Sequence, residues 1–420
     1  MWSCRMNVSD FPAIEEFASE KRGEVIDLLK DLIRYRSVYG EECKAQEFLA
    51  DRFGDLGYEV KMVPIPEKIR EDPEYTHSES PIPYQGRPNL VLTHGGGGEG
   101  SGLILNTHVD VVPVGSWNAG FRPELDGDTL IGRGAVDCKG QIASLYLLLL
   151  MLREFDLEPS GPLTCQIVIE EEIGGNGTLS LLREGYRADG AVVLEGTDLT
   201  VCPANRGALW FTARVRGRSI HMARKFEGVS ALDKAMDLIG ILYDYEGELA
   251  EKSQGQPLFS EYPHPVQVNI GVLKAGDWPA TVPDLCVMEG GVGFLPNRNL
   301  EDIRADLINL PSRGDSWLEE NTTIEFNRLH NDAYRTPADH PLVTDMEKSA
   351  RWAGIDTRVR GMIASCDARL FNRVGGMPTL VFGAGDIDQA HSTGESVEIQ
   401  DILNCSCALL DLVGRWCGFR

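Results

Sequence analysis

No two of the ten cysteines are spaced Cys-x-x-Cys, which excludes a zinc ribbon and a thioredoxin-type redox motif. The thiols are scattered from Cys4 to Cys417, a usage that fits a reducing compartment, so a cytoplasmic location is expected. Basic charge is scarce: 40 Lys+Arg stand against 64 Asp+Glu, a formal net charge of −24. A polyanion repels phosphate backbones. The densest basic stretch, Arg214 to Lys225, is short and begins inside an expected strand, so no nucleic acid partner is expected. Anionic membrane surfaces are disfavoured for the same reason. Long apolar runs are lacking too. Ile142 to Leu152 is interrupted by Ser144 and is too short to span a bilayer. Met1 to Asp10 carries no apolar core of signal-peptide length. The glycine run after His94, Gly95 to Gly98, is not followed by Gly-Lys-Ser/Thr, so it reads as a hairpin turn rather than a phosphate cradle.

What is present is a chain of 420 residues, enough for two or three domains at roughly 100–200 residues each. Apolar residues recur at helical spacing in Glu24–Tyr35 and again in Glu42–Phe53. Strand-like segments follow at Tyr58–Val63, Asn89–Leu92 and Gly102–Asn106. Then come a helix (Gln141–Phe155), a strand (Leu163–Ile169), a helix (Asn176–Glu184) and a strand (Gly190–Leu194). Strands alternating with helices predict an α/β domain, a mainly parallel sheet with helices on both faces. From about Pro203 the texture changes to a self-contained α+β unit. Its strands are Ala208–Val215, Val266–Val272, Asp284–Phe294 and Thr322–Asn327, and its helices Ser230–Tyr245 and Leu300–Leu310. After Arg328 the α/β pattern returns with Pro341–Ala353, Pro378–Val381 and Val397–Trp416. The expected division is a first catalytic part at 1–202, an inserted α+β lid or dimerisation domain at 203–328, and a second catalytic part at 329–420.

Five short segments place metal-competent side chains just after expected strands, where open α/β sheets gather ligand chemistry. In Asn106-Thr107-His108-Val109-Asp110, His108 and Asp110 share one side of an extended backbone. A carboxylate so placed can fix the tautomer of a metal-bound imidazole, although a buried hydrogen-bonded histidine reads equally from this segment alone. In Gly134-Ala135-Val136-Asp137-Cys138-Lys139-Gly140, Asp137 is either a site residue or the cap of the next helix. Glu170-Glu171-Glu172 ends an apolar strand and runs into Gly174-Gly175. Three adjacent carboxylates repel one another, so a compact arrangement needs cations, whereas a solvated acidic loop needs none. Glu195 follows Val192-Val193-Leu194. Finally Gly383-Ala384-Gly385-Asp386 leads to His391.

Taken in this order, the segments resemble the dinuclear zinc metallopeptidase and deacylase family of acetylornithine deacetylase, succinyl-diaminopimelate desuccinylase, aminoacylase and glutamate carboxypeptidase. The resemblance spans nearly the whole chain. It implies two divalent metal ions, zinc foremost, with cobalt or manganese tolerated by a nitrogen and oxygen donor set. By that likeness His108, Asp137 and Glu195 bind one ion, and Asp137, Glu172 and His391 the other, with Asp137 bridging. Glu171 matches the general base and Asp110 the acid behind the first histidine. His221, in Gly217-Arg218-Ser219-Ile220-His221, matches a lid histidine that completes the partner subunit's site, which implies a homodimer through the inserted domain. Arg369, in Asp367-Ala368-Arg369, and Gly385 match substrate contacts.

The implied reaction is metal-assisted hydrolysis of an amide bond, in an N-acyl amino acid or a short peptide. A deacylase like acetylornithine deacetylase is the first reading, a dipeptidase or carboxypeptidase of the same family the second. A non-catalytic metal-binding protein is the third, and the presence of Glu171 beside a full ligand set speaks against it. One departure bears on substrate recognition. Where the family commonly carries Asp-x-Arg-x-x-Pro, this chain has Gly291-Val292-Gly293-Phe294-Leu295-Pro296, with Gly293 at the arginine position. Cys405 and Cys407 are expected to be buried packing residues, and so is Cys138 beside Asp137.

Overall fold

The computed structural model describes residues 11–326 and 328–420. Met1 to Asp10, read above as lacking an apolar core, and Asn327, taken as the end of a strand, lie outside the described residues.

Six strands form the central sheet, in the spatial order Val60–Val63, Asn89–Gly95, Pro162–Val168, Leu103–His108, Gly190–Val193 and Thr379–Val381. The last four run parallel to one another, and Asn89–Gly95 alone runs against its neighbours. The parallel strands are nearly continuous apolar runs: Leu103–His108 and Gly190–Val193 are buried at every residue, as a sheet covered on both faces requires. Gly140–Glu154, buried from Gly140 through Leu152, packs with Arg22–Arg34 and Ile399–Trp416 into the main core. With the turn before it, this helix makes a 20-residue segment long and apolar enough to cross a membrane by composition, yet its apolar window lies wholly inside the protein. Leu181, on Asn176–Arg183, meets Val91 and Val168 in a separate small cluster. An N-terminal helix, Phe11–Glu20, was not legible in the periodicity; it buries only Ile14 and Ala18.

The glycine run is not a hairpin. Pro162–Val168 lies between Asn89–Gly95 and Leu103–His108 in the sheet, so the chain must cross over before it returns. Gly96 and Gly98 donate to the carbonyls of Pro159 and Ser160 at 3.0 Å each, binding the crossover to the start of the intervening strand.

A second, antiparallel sheet of Gln267–Ala275, Leu285–Phe294, Gly207–Arg216 and Thr322–Glu325 has its own core. Alternation along Gly207–Arg216 turns Leu209, Phe211, Ala213 and Val215 inward against Ala231–Lys252 and Leu300–Asn309. Both helices begin at side-chain caps, Ser230 accepting from the Asp233 amide at 3.1 Å and Asn299 from the Asp302 amide at 2.8 Å, which satisfies amides that have no partner within the helix. The opposite face of this sheet carries Trp210, 48% exposed, and looks toward open space.

Candidate metal centre

Because four neighbouring strands run parallel, their carboxyl ends lie on one side of the sheet, and the loops leaving them meet there. His108 is the last residue of Leu103–His108. Glu171 and Glu172 follow Pro162–Val168, Glu195 follows Gly190–Val193, and His391 follows Thr379–Val381. Asp137 enters from the turn Ala135–Lys139. Its backbone is non-helical and the next helix starts after Lys139, so it is not a helix cap.

Asp137 addresses a different histidine with each carboxylate oxygen. Its Oδ1 lies 3.0 Å from His108 Nε2 and its Oδ2 lies 3.1 Å from His391 Nε2. His108 Nε2 is also 3.8 Å from Glu195 Oε1, and His391 Nε2 is 3.0 Å from Glu172 Oε2. Two donor groups result, each with its ligand atoms within 4.8 Å of one another: His108, Asp137, Cys138 and Glu195, and Asp137, Glu172 and His391. Glu172 Oε1 is buried without a hydrogen-bond partner, which is costly unless a cation takes it up.

The electrostatics point the same way. Burial pushes the Glu172 carboxyl up to about 7, with the Asp137 charge adding, and the Glu195 carboxyl up to about 8. Hydrogen bonds to Asp137 and Glu172 push His391 up to about 10. Burial works against the Asp137 charge, but hydrogen bonds from His108 and His391 hold its carboxyl below the usual range. Without cations this cluster must borrow protons to offset its carboxylates; divalent ions would reverse that demand. The donor set therefore fits two divalent metal ions.

Asp110 organises both halves of the site. His108 Nδ1 lies 2.9 Å from the Asp110 carbonyl oxygen and 3.4 Å from its carboxylate, which leaves Nε2 free to face a metal. The same carboxylate accepts the amides of Glu171 at 3.3 Å and Glu172 at 3.1 Å. Thus one acid orients the imidazole and anchors the turn that bears the expected base. Glu171 lines a cavity of about 720 Å³ together with Asp137, Glu172, Glu195 and His391. Burial raises its carboxyl well above the ordinary range, and nearby carboxylates add to this.

Three further residues support the site. Glu395 accepts the amides of Val136 and Asp137 at 3.2 Å each and pairs with buried Arg133, holding the Asp137 turn. Glu170 takes a left-handed backbone (φ 62°) and turns its carboxylate away from the cavity. There it receives Tyr84 Oη at 2.7 Å, Asn176 Nδ2 at 2.9 Å and Arg87 Nη1 at 2.9 Å. Cys138 is more than a packing residue, since its Sγ donates to Glu195 Oε2 at 2.6 Å. Cys405 and Cys407 are buried and in no disulfide.

The remaining expected residues lie elsewhere. His221 is exposed at the head of a short helical turn, with Nδ1 accepting from the Ala223 amide at 3.2 Å, and does not line the cavity. Arg369 is buried, donating to the Gly174 carbonyl at 3.0 Å and facing Glu74 at 3.5 Å. It lines a separate cavity rather than the one that Glu171 lines, and the turn beneath Glu171 and Glu172 takes up its guanidinium. Gly385 packs against Val136 and Val397 with φ 73° and also does not reach the cavity; its part is to shape the loop that leads to His391.

Comparison with known proteins bears directly on this arrangement. Residues 104–415 match Peptidase family M20/M25/M40. The chain is similar to the N-formyl-4-amino-5-aminomethyl-2-methylpyrimidine deformylase of Bacillus subtilis (strain 168), with 27% identity over 436 residues that cover 97% of each chain. It is similar to the acetylornithine deacetylase of Myxococcus xanthus, with 31% identity over 344 residues, covering 79% of this chain and 85% of that one. Its fold is that of the dipeptidase Dug1p from Saccharomyces cerevisiae, with a TM-score of 0.74 at 15% identity over 98% of this chain and 99% of the other.

Proposed function

The chain belongs to peptidase family M20/M25/M40 and is a metal-dependent hydrolase of amide bonds, and from that premise we propose that it deacylates an N-acyl amino acid. One observation carries the reading: a single carboxylate, Asp137, reaches two histidines with its two oxygens, and Glu171 opens into the same cavity. The relatives named deformylase and deacetylase, aligned over 97% and 79% of this chain, support deacylation over peptide cleavage.

His108, Asp137 and Glu195 would hold one ion, and Asp137, Glu172 and His391 the other. Zinc is the proposed metal. Two divalent ions supply Lewis acidity and a water acidified toward neutral pH. The protein's own groups do the rest. Glu171 takes the proton of the attacking water and returns it to the leaving nitrogen, the two halves of general acid–base catalysis. Asp110 keeps the Glu171 turn and the His108 ring in register. The apolar walls, among them Ile173, Met362 and Ile387, exclude bulk water and strengthen each charge interaction inside.

The proposal includes a homodimer through residues 203–328 as an inserted domain, with His221 acting on the partner subunit's substrate. Its exposure and its absence from the lining of its own cavity support this. It also includes a cytoplasmic setting, which the unpaired state of all nine described cysteines supports.

The test is a panel of N-formyl and N-acetyl amino acids set against dipeptides, before and after dialysis against a chelator. Acyl compounds should be cleaved, activity should vanish with the metal, and zinc, cobalt or manganese should restore it. Cleavage of dipeptides alone would move the assignment to a dipeptidase. Full activity in metal-free protein would remove the mechanism.

A further inference from the structure

We propose that Arg206 holds a free carboxylate of the substrate in a second cavity that opens beside the metal cleft. This deepens the amidohydrolase reading and rests on it. The cavity, about 400 Å³, lies on the open face of the antiparallel sheet, and Trp210 and Arg328 form part of its wall and of the metal cavity's wall alike. A substrate with its amide at the metal centre can therefore extend into it without leaving the protein surface.

The floor of this cavity is bare for a reason visible in the chain. Strand Leu285–Phe294 presents Gly290, Gly291 and Gly293 there. A Cβ at Gly293 would stand 2.8 Å from Cζ of Arg206 and 2.9 Å from its Nε and Nη1. The missing side chain is thus the space into which the guanidinium lies. Any residue larger than glycine would push the arginine out.

Among the described residues Arg206 has no counterion. Its one side-chain partner there is neutral, the Gln267 Oε1 that accepts from Nη1 at 2.5 Å. Burial lowers the guanidinium below its ordinary value with no carboxylate acting against it. The cavity's sole carboxylate among the described residues, Glu289, is taken by Arg328 at 3.3 Å, and Arg328 also pairs with Glu79. A partly buried cation without an anion is costly to keep unless a ligand supplies the charge. The planar fork of arginine matches the two oxygens of a carboxylate. The net charge of −24 makes such a local cation the more necessary for an anionic substrate, since the surface field as a whole repels it.

The experiment separates binding from turnover. Binding of an N-acetyl amino acid and of its methyl ester is measured by calorimetry on metal-loaded Glu171→Gln protein, with and without Arg206→Gln. The free acid should bind more tightly than the ester. Arg206→Gln should weaken the acid roughly 10- to 100-fold, as for loss of a hydrogen bond between charged groups, and leave the ester unchanged. Arg206→Lys should recover part of the difference. The melting temperature of Arg206→Gln should equal or exceed that of its parent, because an unpaired charge has been removed from a partly buried place. Equal weakening of acid and ester, no weakening of either, or an ester that binds as tightly as the acid would overturn the assignment. The wild-type turnover assay judges the amidohydrolase reading separately, so a protein that cleaves acyl amino acids yet shows no Arg206 effect refutes this inference alone.

Discussion

At the scale of the single residue, the site distinguishes acids that look alike in the sequence. Glu170, Glu171 and Glu172 are consecutive, yet each has a different task because the turn sends each carboxylate in a different direction. Glu170 is bound into the protein by Arg87, Tyr84 and Asn176. Glu172 faces His391, and Glu171 opens on the cavity. Since Glu171 belongs to neither donor group among the described residues, its replacement by Gln removes the proposed proton carrier and spares the ligand set. Glu171→Gln is expected to lower kcat by about 10²- to 10⁴-fold, the usual worth of a positioned acid–base group, with metal content by elemental analysis unchanged. Loss of metal along with activity would instead make Glu171 a ligand.

At the scale of elements, the turn between Pro162–Val168 and Asn176–Arg183 depends on Gly175. Its φ is 84°, and a Cβ there would lie 2.2 Å from Oδ1 of buried Asp367 and 2.7 Å from Leu370. Asp367 cannot move aside freely, because its other oxygen accepts the Thr178 hydroxyl at 2.5 Å. Gly175→Ala should therefore destabilise the protein by about 1–3 kcal/mol, the cost of a strained backbone with a steric clash, read as a lower urea midpoint. An unchanged midpoint would mean that the turn relaxes without cost.

This same turn marks what the sequence could and could not reveal. Apolar runs located every strand of the central sheet, and the segments that follow them hold His108, Glu172, Glu195 and His391, the proposed ligands, because burial on both faces and chemistry at carboxyl ends leave a linear trace. The hairpin expected at Gly95–Gly98 failed because strand order is a tertiary fact, settled by Pro162–Val168 inserting between the two strands. Glu395, Cys138 and Arg206 gave no signal of their own. Their roles arise from contacts with Asp137, Glu195 and Gly293, across 258, 57 and 87 positions of chain for Asp137–Glu395, Cys138–Glu195 and Arg206–Gly293. The burial of Arg369 and of its neighbour Asp367 left no trace in the sequence, because it is decided by tertiary packing.

At the scale of the whole molecule, His221 is exposed and lies outside the lining of the metal cavity of its own chain. The turn bearing His221 is joined to the segment ahead of Val282 by the Met222 amide, which donates to Ala280 at 2.8 Å. Around it stand Met222, Phe226 and Trp278, with Phe226 99% and Trp278 69% exposed. Large apolar groups left in water favour a covering surface, which the proposed dimer would supply. If His221 serves the partner's site, each active site needs Glu171 from one subunit and His221 from the other. His221→Ala and Glu171→Gln should each be nearly inactive alone. In a mixed dimer, one site carries both defects and the other carries neither. Random exchange of equal amounts would then restore about one quarter of wild-type activity, as closed two-fold symmetry dictates. The recovery should appear only after unfolding and refolding the two proteins together or after prolonged co-incubation, with the dimer confirmed by light scattering. A fully exchanged mixture that stays inactive would place Glu171 and His221 in the site of the same subunit, whereas a His221→Ala protein active on its own would leave His221 a surface residue.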